Sequence, residues 1–326
     1  MVNLLSFFSI GHAILIYDML KAKRAQAYLF LLLNTLVWGA FIPIVKLGFN
    51  DSEITPFRFL LYRFVLAGLL ATPIVWHYWQ KLKTSQVKLA KILLLETLQV
   101  TVGMSFLYLG LKETSALETN LIATSLPLFI IVGGIFFLGE KQEKQEWLGL
   151  LLALIGTLVI TLEPGWHGTD GFGGSIGGNL LILGYNVSTA AYFLLAKKYY
   201  RKVPKLLISG LSFYVGALTF AGFAFLEAGA SWSKLLSQVQ IDLSSSLVWG
   251  VIVYAAVFGS IIGLTAYIKG QDGIEASEAS LFTYLQPAIY IPLGYFLLRE
   301  TASWWQIFAL VIITLGVYIA SKKKKV

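Results

Sequence analysis

The chain has 326 residues, of which 57% are hydrophobic and only 13% charged, and its mean hydropathy is +0.75. Soluble domains carry about 25% charged residues, so this composition excludes an ordinary soluble protein and predicts a chain embedded in a bilayer. The absence of cysteine excludes disulfides, thiolate metal sites and cysteine catalysis.

The N-terminal segment, residues 1–27, differs in character from the rest of the chain. Its first 20 residues are apolar but lack the basic start and the small-residue cleavage site of a signal peptide. They predict a helix that lies in the membrane interface. A translation start at Met19 is the alternative, and it would leave a short basic opening.

Ten apolar runs occupy residues 28–320, separated by charged or Gly-rich breaks. Each run must be a helix, because backbone groups in lipid have to be hydrogen-bonded within their own segment. The predicted spans are residues 28–48, 57–76, 89–110, 115–138, 146–162, 178–196, 206–227, 246–268, 276–298 and 302–320.

Basic residues set the predicted orientation. With ten spans, both termini lie on one side, and 19 of the 25 Lys and Arg side chains fall in the connections and termini of that side. Lys112, Lys234 and Arg299 fall on the other side. The positive-inside rule therefore predicts cytoplasmic N- and C-termini. The net charge of +8 is then explained by the cytoplasmic leaflet and does not indicate nucleic-acid binding.

The second half of the chain repeats the first. A shift of 160 residues aligns identical residues without a gap over the third to fifth spans, and a shift of 151 aligns the first spans. The pairs include Gly110 with Gly270, Glu118 with Glu278, Pro127 with Pro287, Glu140 with Glu300 and Gly156 with Gly316.

This repeat divides the chain into two five-helix units, residues 28–162 and 178–320, joined by a Gly-rich linker, residues 163–177, and followed by a basic tail, residues 321–326. Because five is odd, the second unit enters the membrane from the opposite face. Such inverted repeats are typical of secondary transporters that work by alternating access.

Short motifs occur in the same order in both units. The first span holds Leu36-Val37-Trp38-Gly39 and Lys46, and the second holds Tyr62-Arg63-Phe64 with Ala67-Gly68. A small-residue turn, a proline and a glutamate then occur in each unit. Over about residues 28–320 the sequence resembles the EamA family of the drug/metabolite transporter superfamily. That resemblance implies export or exchange of amino acids, nucleobases or related metabolites.

Four stripes of polar and aromatic side chains are candidates for the lining of a substrate cavity near mid-membrane. Each occupies one helix face. They are Asn34, Trp38 and Phe41; Tyr185, Thr189 and Tyr192; Asn120, Thr124 and Pro127; and Ser280, Tyr284 and Pro287. The alternative is ordinary packing, or an aromatic belt at the membrane interface.

Charges inside spans are costly and therefore indicate function. Glu96, with Gln99 close by on the third span, is predicted to bind a coupling proton or a cationic group of the substrate. The alternatives are an ion pair with Lys91 or Arg63, or a position near the interface. Arg63 is predicted to recognise a carboxylate, and the alternative is a structural role in which it pairs with a helix end or a carboxylate.

Several further features favour structural roles. Ser115 and Glu118 are typical of a capping box, in which the glutamate bonds back to the N-cap amide. Pro127 and Pro287 predict kinks. The small residues Gly149, Ala153 and Gly156, with Gly316 and Ala320, predict close helix packing within the protein or in a homodimer.

Enzyme motifs, nucleotide-binding loops and cofactor-binding patterns are absent from the sequence. The prediction is an all-α protein of ten transmembrane helices in the bacterial inner membrane. It exports small metabolites, with lipids, a small-molecule substrate and protons as partners. A sugar-phosphate-type anion exchanger is the alternative, although only Lys46 and Arg63 could face its substrate. A membrane-embedded enzyme would need paired His and Asp groups, which the spans lack.

Overall fold

A computed structural model describes residues 4–84, 88–138, 144–163, 175–200, 203–271 and 282–321. Within these ranges the chain is helical and has no strand. Seven of the described helices are long and apolar enough to cross a membrane, and three shorter apolar helices accompany them. The helices are α1 (Leu4–Asn50), α2 (Pro56–Thr84), α3 (Leu89–Glu113), α4 (Ala116–Ala123), α5 (Leu126–Leu138), α6 (Lys144–Leu162), α7 (Ile176–Tyr199), α8 (Lys205–Glu227), α9 (Trp232–Ser244), α10 (Ser246–Gly270), α11 (Pro287–Leu298) and α12 (Trp304–Ser321).

Most predicted spans agree with these helices to within a few residues. α1 is longer than predicted, because it continues without a break from Leu4 to Asn50. The first part of the ninth predicted span, residues 276–298, lies outside the described residues, as do most of the Gly-rich linker and the basic tail.

The prediction that Pro127 and Pro287 kink continuous helices was wrong, because the helix is interrupted before each of them. A turn at Thr124 and Ser125 separates α4 from α5, and Pro127 is the second residue of α5. Pro287 is the first residue of α11 and comes after a short 3-10 turn. Proline fits a helix start because its missing N–H has no intrahelical acceptor there. Each proline thus lies in the first turn of a new helix.

The amphipathic helix α9 was missed by the sequence prediction, which had treated this stretch as a connection. Ser231 caps its first turn by accepting a hydrogen bond from the Lys234 amide. Leu235 is buried, whereas Trp232 and Leu236 are exposed. An exposed apolar face opposite a packed one is typical of a helix at a membrane interface.

A buried ion pair fastens α9 to α2. The Arg58 Nε atom donates to Asp242 Oδ2 at 2.7 Å, and the Tyr62 hydroxyl donates to the same oxygen at 2.7 Å. Both charged residues are 5% exposed. Arg58 also donates to the Glu53 carbonyl at 2.6 Å, so the pair and its hydrogen bonds form one network.

Breaking this pair from one side is expected to destabilise the protein. Arg58→Met should cost about 3–5 kcal/mol in unfolding free energy, because it leaves the Asp242 charge buried without a partner. Arg58→Met with Asp242→Leu should recover most of that loss. Unfolding in detergent is the measurement, with the exposed Lys234→Ala as control. Equal stability of Arg58→Met and the wild type would show that the pair does not contribute to stability.

The contacts that a helix makes in one half of the chain have equivalents made by the matching helix of the other half. α1 packs against α10 and α11, while α7 packs against α3 and α5. α2 contacts α10, while α8 contacts α3, and α2 and α8 also pack against each other. α6 packs against α12. Leaving α9 aside, each of these contacts has a counterpart in the other half.

The small-residue faces lie between α6 and α12. A Cβ atom added at Gly156 would lie 2.7 Å from Ile313 Cγ1 and 2.9 Å from the Ala309 carbonyl oxygen. At Gly316 it would lie 2.6 Å from the Ala153 nitrogen. The lack of side chains at both glycines therefore allows the helix backbones to approach closely. The prediction that these faces join helices within the protein is confirmed.

Candidate functional site

Two of the spans contain π-helical segments, which the sequence analysis had not predicted. In α3 the segment covers Thr97–Gly103, and in α10 it covers Tyr254–Gly263. Long π segments are rare and occur frequently at functional sites. Their last residues, Gly103 and Gly263, are 160 residues apart, which is the shift of the sequence repeat.

The first stripe of α1 packs on the π segment of α10. Asn34 Nδ2 donates to the Gly263 carbonyl at 3.0 Å, and Trp38 Nε1 donates to the Gly259 carbonyl at 3.1 Å. Asn34 is 4% exposed, so its amide is committed to this contact. Phe41 is also buried, and its ring lies beneath the Arg63 guanidinium. The stripe therefore shapes the site mainly by fixing α1 on α10.

Arg63 on α2 lies among aromatic rings. Its Cζ atom is 4.8 Å from the centroid of Phe41, 5.4 Å from Phe64 and 5.9 Å from Tyr108. Its Nε donates to Ser260 Oγ at 3.1 Å, and Nη1 donates to the Tyr108 hydroxyl. Within the described ranges no carboxylate pairs with it, so the structural ion pair is not observed.

Glu96 on α3 is 1% exposed and lies among hydroxyl groups. Its Oε1 accepts hydrogen bonds from Tyr192 at 3.0 Å and from Tyr200 at 2.8 Å. Burial raises the pKa of the Tyr200 phenol, and the Glu96 carboxylate raises it further, so this hydroxyl stays a donor. No Lys or Arg of the described residues pairs with Glu96; the amine of Lys91 instead lies over the Tyr199 ring.

One stripe on α7 contacts both Arg63 and Glu96; it consists of Tyr185, Thr189 and Tyr192. Tyr185 lies beside Arg63 and Thr189, and Tyr192 contacts Glu96. Seven residues of α-helix correspond to roughly 10 Å. Arg63 and Glu96 therefore lie near opposite ends of one face of α7.

A buried polar atom of α3 lacks a partner in this region. Gln99 Oε1 accepts no hydrogen bond within the described residues, whereas the Thr189 hydroxyl lies beside Tyr185. Buried polar groups without partners are uncommon in proteins and need an explanation. A polar ligand or water between α3 and α7 would supply the missing partner.

The remaining stripes contribute less. Asn120 and Thr124 bond to carbonyls of their own helix, at 3.0 and 2.8 Å. Ser280 lies outside the described residues. Tyr284 falls in the short 3-10 turn before α11, and its side chain lies outside what the structure describes.

Lys46 and Glu118 have structural partners. Lys46 Nζ donates to the Leu111 carbonyl at 2.7 Å and to the Lys112 carbonyl at 3.1 Å, near the end of α3. Ser115 caps α4 as predicted, but the Glu118 carboxylate does not bond back to the cap. The prediction for Glu118 was wrong, since its oxygens accept from Thr114 and Gln306.

A carboxylate from a distant part of the chain hydrogen-bonds to the first turn of α4. Glu300 accepts from the amides of Ala116 and Leu117, both at 2.9 Å. A carboxylate at a helix N-terminus satisfies unpaired N–H groups and the helix dipole. The glutamate of the second unit's repeated motif therefore ties α11 to α4.

Sequence reasoning identified Arg63, Glu96 and the α7 stripe, but missed Tyr108, Ser260 and Tyr200. These side chains come from other helices or from a helix end. Their hydroxyls are common residue types without charge, so composition alone gave no signal.

Comparisons with known proteins agree with one another. The EamA-like transporter family model matches residues 25–162 and 176–322. The uncharacterized transporter YcxC of Bacillus subtilis (strain 168) is 25% identical over 301 residues, which cover 92% of this chain and 94% of YcxC. The uncharacterized inner membrane transporter YedA of Escherichia coli (strain K12) is 28% identical over 296 residues, covering 88% and 90%. A crystal structure with a TM-score of 0.58 and 17% identity covers 91% of this chain and shares its fold.

Proposed function

The chain belongs to the EamA-like transporter family, and we propose that it exports small metabolites, such as amino acids or nucleobases, by alternating access. It is a multi-pass inner-membrane protein. In this proposal α1 to α6 and α7 to α12, without the interfacial α9, are two inverted units with cytoplasmic termini. The observation that carries this proposal is that the helix contacts made by one unit have equivalents made by the matching helices of the other unit.

Matched close contacts at residue level support this assignment. A Cβ atom at Gly270 would lie 2.5 Å from Leu31 Cγ, and one at Gly110 would lie 2.6 Å from Ile182 Cδ1. Gly110 and Gly270 are equivalent at the 160-residue shift, and Leu31 and Ile182 at the 151-residue shift. In an inverted arrangement the first contact closes the cytoplasmic side and the second closes the outer side. Opening them in turn would expose one central site to each face.

The substrate site in this proposal lies between the two π segments. Its lining comprises Asn34, Trp38, Phe41, Arg63, Glu96, Gln99, Thr124, Tyr185, Thr189, Tyr192 and Tyr284. In this proposal polar groups of α3 and α7 and the aromatic rings around Arg63 on α1, α2 and α3 supply the lining. This combination of apolar walls and a few polar groups suits a small solute.

Metabolite profiling of a bacterial host tests export. Cells expressing the wild type should accumulate at least one metabolite in the medium. Trp38→Ala should lower that accumulation roughly tenfold, because it removes the indole that holds α1 on α10 through Gly259.

Trp76→Ala is the matched control, since that indole is 84% exposed on α2 and should tolerate truncation. Equal amounts of inserted protein must be verified for all variants. Identical media from the wild type, Trp38→Ala and empty cells, together with no flux from loaded proteoliposomes, would contradict the proposed export.

A further inference from the structure

The fourth predicted span is interrupted near the middle of the membrane. The turn at Thr124 and Ser125 lies close to the centre of the 22-residue stretch Ala116–Phe137, and it divides this stretch into α4 and α5. The last carbonyl groups of a helix point along its axis and carry the negative end of its dipole. In transporters, the free carbonyl oxygens of broken helices commonly coordinate cations.

Two carbonyl groups at this break lack the amide that a continuous helix would supply. The Ser125 amide donates to the Ile122 carbonyl at 3.0 Å, so it is not used by Leu121, its partner in an uninterrupted helix. Pro127 has no N–H group and therefore offers no donor to the Ala123 carbonyl. The break thus presents oxygen atoms that need partners in a part of the span where lipid supplies none.

Asn186 of α7 lies against the break, and its contacts determine the orientation of its amide. Nδ2 donates to the Ile122 carbonyl at 2.8 Å and to Ser125 Oγ at 3.1 Å. The Ser125 hydroxyl donates to the same carbonyl at 2.7 Å, so both groups can only accept from Asn186. A rotated amide would place Oδ1 against two oxygens. Oδ1 therefore takes the remaining position, where it accepts no hydrogen bond from the described residues although Asn186 is 0% exposed.

The second unit makes the equivalent contact without a spare oxygen. The Thr35 hydroxyl of α1 donates to the Phe282 carbonyl at 3.1 Å as well as to a carbonyl of its own helix at 2.9 Å. Thr35 and Asn186 are equivalent at the 151-residue shift, and Phe282 and Ile122 at the 160-residue shift. A hydroxyl is thus sufficient to hold the broken helix in the second unit. The amide oxygen of Asn186 is additional to that structural role, which indicates a ligand of its own.

The groups at the break offer oxygen atoms without formal charge. They are the amide oxygen of Asn186 and the carbonyl oxygens of Leu121 and Ala123. Divalent cations usually bind through carboxylates, and the described part of the chain holds no group of His, Cys, Asp or Glu side chains suited to a metal ion. Ile122, Ser125 and Asn186 are each 0% exposed, so the position is enclosed. Neutral oxygens in an enclosed position fit a small monovalent cation.

We propose that the break between α4 and α5 binds a sodium ion through Asn186 Oδ1 and the carbonyl oxygens of Leu121 and Ala123. The ion balances the negative end of the α4 dipole and links α7 to the broken helix. The site uses neither Arg63 nor Glu96, so it goes beyond the proposed export and does not depend on which metabolite is carried.

Sodium binding is tested on the purified full-length protein in detergent. Thermal unfolding is compared in sodium chloride and in equimolar potassium, methylammonium and choline chloride. At roughly ten times its dissociation constant, sodium should raise the unfolding midpoint by about 2 °C over choline, because a ligand of the folded state stabilises it. Equilibrium dialysis with radioactive sodium should show saturable binding, and potassium and methylammonium should compete poorly.

Asn186→Thr gives the first unit the chemistry of the second and separates ion binding from folding. The new hydroxyl can still donate to the Ile122 carbonyl, as Thr35 does to Phe282, but it supplies no spare carbonyl oxygen. This variant should fold, lose the sodium-dependent shift and bind sodium at least about tenfold more weakly. Thr35→Ser, at the equivalent position of the second unit, is the control and should keep the full shift.

A second variant tests the backbone ligand without changing Asn186. Pro127→Ala introduces an N–H group that can bond to the Ala123 carbonyl and so competes with the ion for that oxygen. It should also weaken sodium binding, and it keeps the proposal testable if Asn186→Thr fails to fold.

The contrary outcomes are equally definite. If the wild type shows no saturable sodium binding, or if Asn186→Thr binds sodium as tightly as the wild type, the site is rejected and a buried water is the partner of Oδ1. Equal shifts with potassium or methylammonium overturn the assignment to sodium. None of these results bears on export, which the metabolite profiling tests separately.

Discussion

Oxidation of a cysteine pair placed at Leu31 and Gly270 is expected to stop export, and reduction should restore it. A Cβ atom at Gly270 would lie 2.5 Å from Leu31 Cγ and 3.2 Å from the Ala27 carbonyl, so the two Cβ atoms fall near the distance that a disulfide requires. In the proposed cycle this contact between α1 and α10 opens toward the cytoplasm. The loss should be nearly complete, because a covalent bond holds one side shut in every turnover.

A second pair tests the opposite side of the same cycle. A Cβ atom at Gly184 would lie 3.3 Å from Phe106 Cγ, so Gly184→Cys with Phe106→Cys should link α7 to α3. The chain contains no native cysteine, so each pair is introduced without background thiols. Each linked form should be inactive, and each single cysteine variant should export at a rate that oxidation does not change.

The matched control links helices that the cycle does not separate. Gly156 and Ile313 meet between α6 and α12, where a Cβ atom at the glycine lies 2.7 Å from Ile313 Cγ1. The reduced and the oxidised forms of this pair should export at the same rate, because the crowding that a side chain at Gly156 causes against the Ala309 carbonyl is present in both forms. Full export by protein that is linked at Leu31 and Gly270, as judged by mass spectrometry, would exclude movement of α1 against α10.

The positions of most apolar helices could be predicted from the sequence, because lipid imposes one rule on every span. Apolar runs of sufficient length must be helical, and seven helices that meet this condition lie close to predicted runs. α9 was missed because its 13 residues include Ser, Gln, Lys and Asp, which are typical of a polar connection. Its position depends on the contact between Arg58 and Asp242, which are 184 residues apart.

Local π geometry was equally inaccessible from sequence. β-Branched residues and glycine are common in Thr97–Gly103 and Tyr254–Gly263, but the other spans contain the same residue types, and no simple preference separates π from α segments. Packing against the other half of the chain accompanies both segments: α1 contacts the one in α10, and α7 contacts the one in α3. Such tertiary contacts cannot be read from either segment alone.

Within the candidate site, charge was the informative signal. Arg63 and Glu96 were recognised because ionisable groups in a span are costly unless they serve a purpose. Lys46 was treated as a cavity candidate for the same reason, but it satisfies carbonyls near the end of α3. Helix spacing predicts which side chains share a face, yet spacing cannot tell whether an indole such as Trp38 faces a solute or a neighbouring backbone.

Glu96→Gln is expected to uncouple transport from protons while leaving the protein folded. Glu96 is the buried carboxyl of the α3 site, and it has two tyrosine donors and no basic partner among the described residues. Glutamine keeps the size and accepts the same hydrogen bonds, but it cannot exchange a proton. A carboxyl that alternately faces each side can carry one proton per cycle, which is the role proposed for it.

The measurement is substrate accumulation in proteoliposomes under an imposed pH difference of one unit. One coupled proton supports up to about a tenfold concentration ratio of substrate, since one unit corresponds to roughly 1.4 kcal/mol. The wild type should approach that ratio, and Glu96→Gln should equilibrate substrate at a ratio of one. Glu53→Gln, at an exposed carboxyl before α2, should behave as the wild type. Tyr192→Phe and Tyr200→Phe retain the carboxyl and should keep a pH-driven ratio, whereas an undiminished ratio in Glu96→Gln would rule out the proton role.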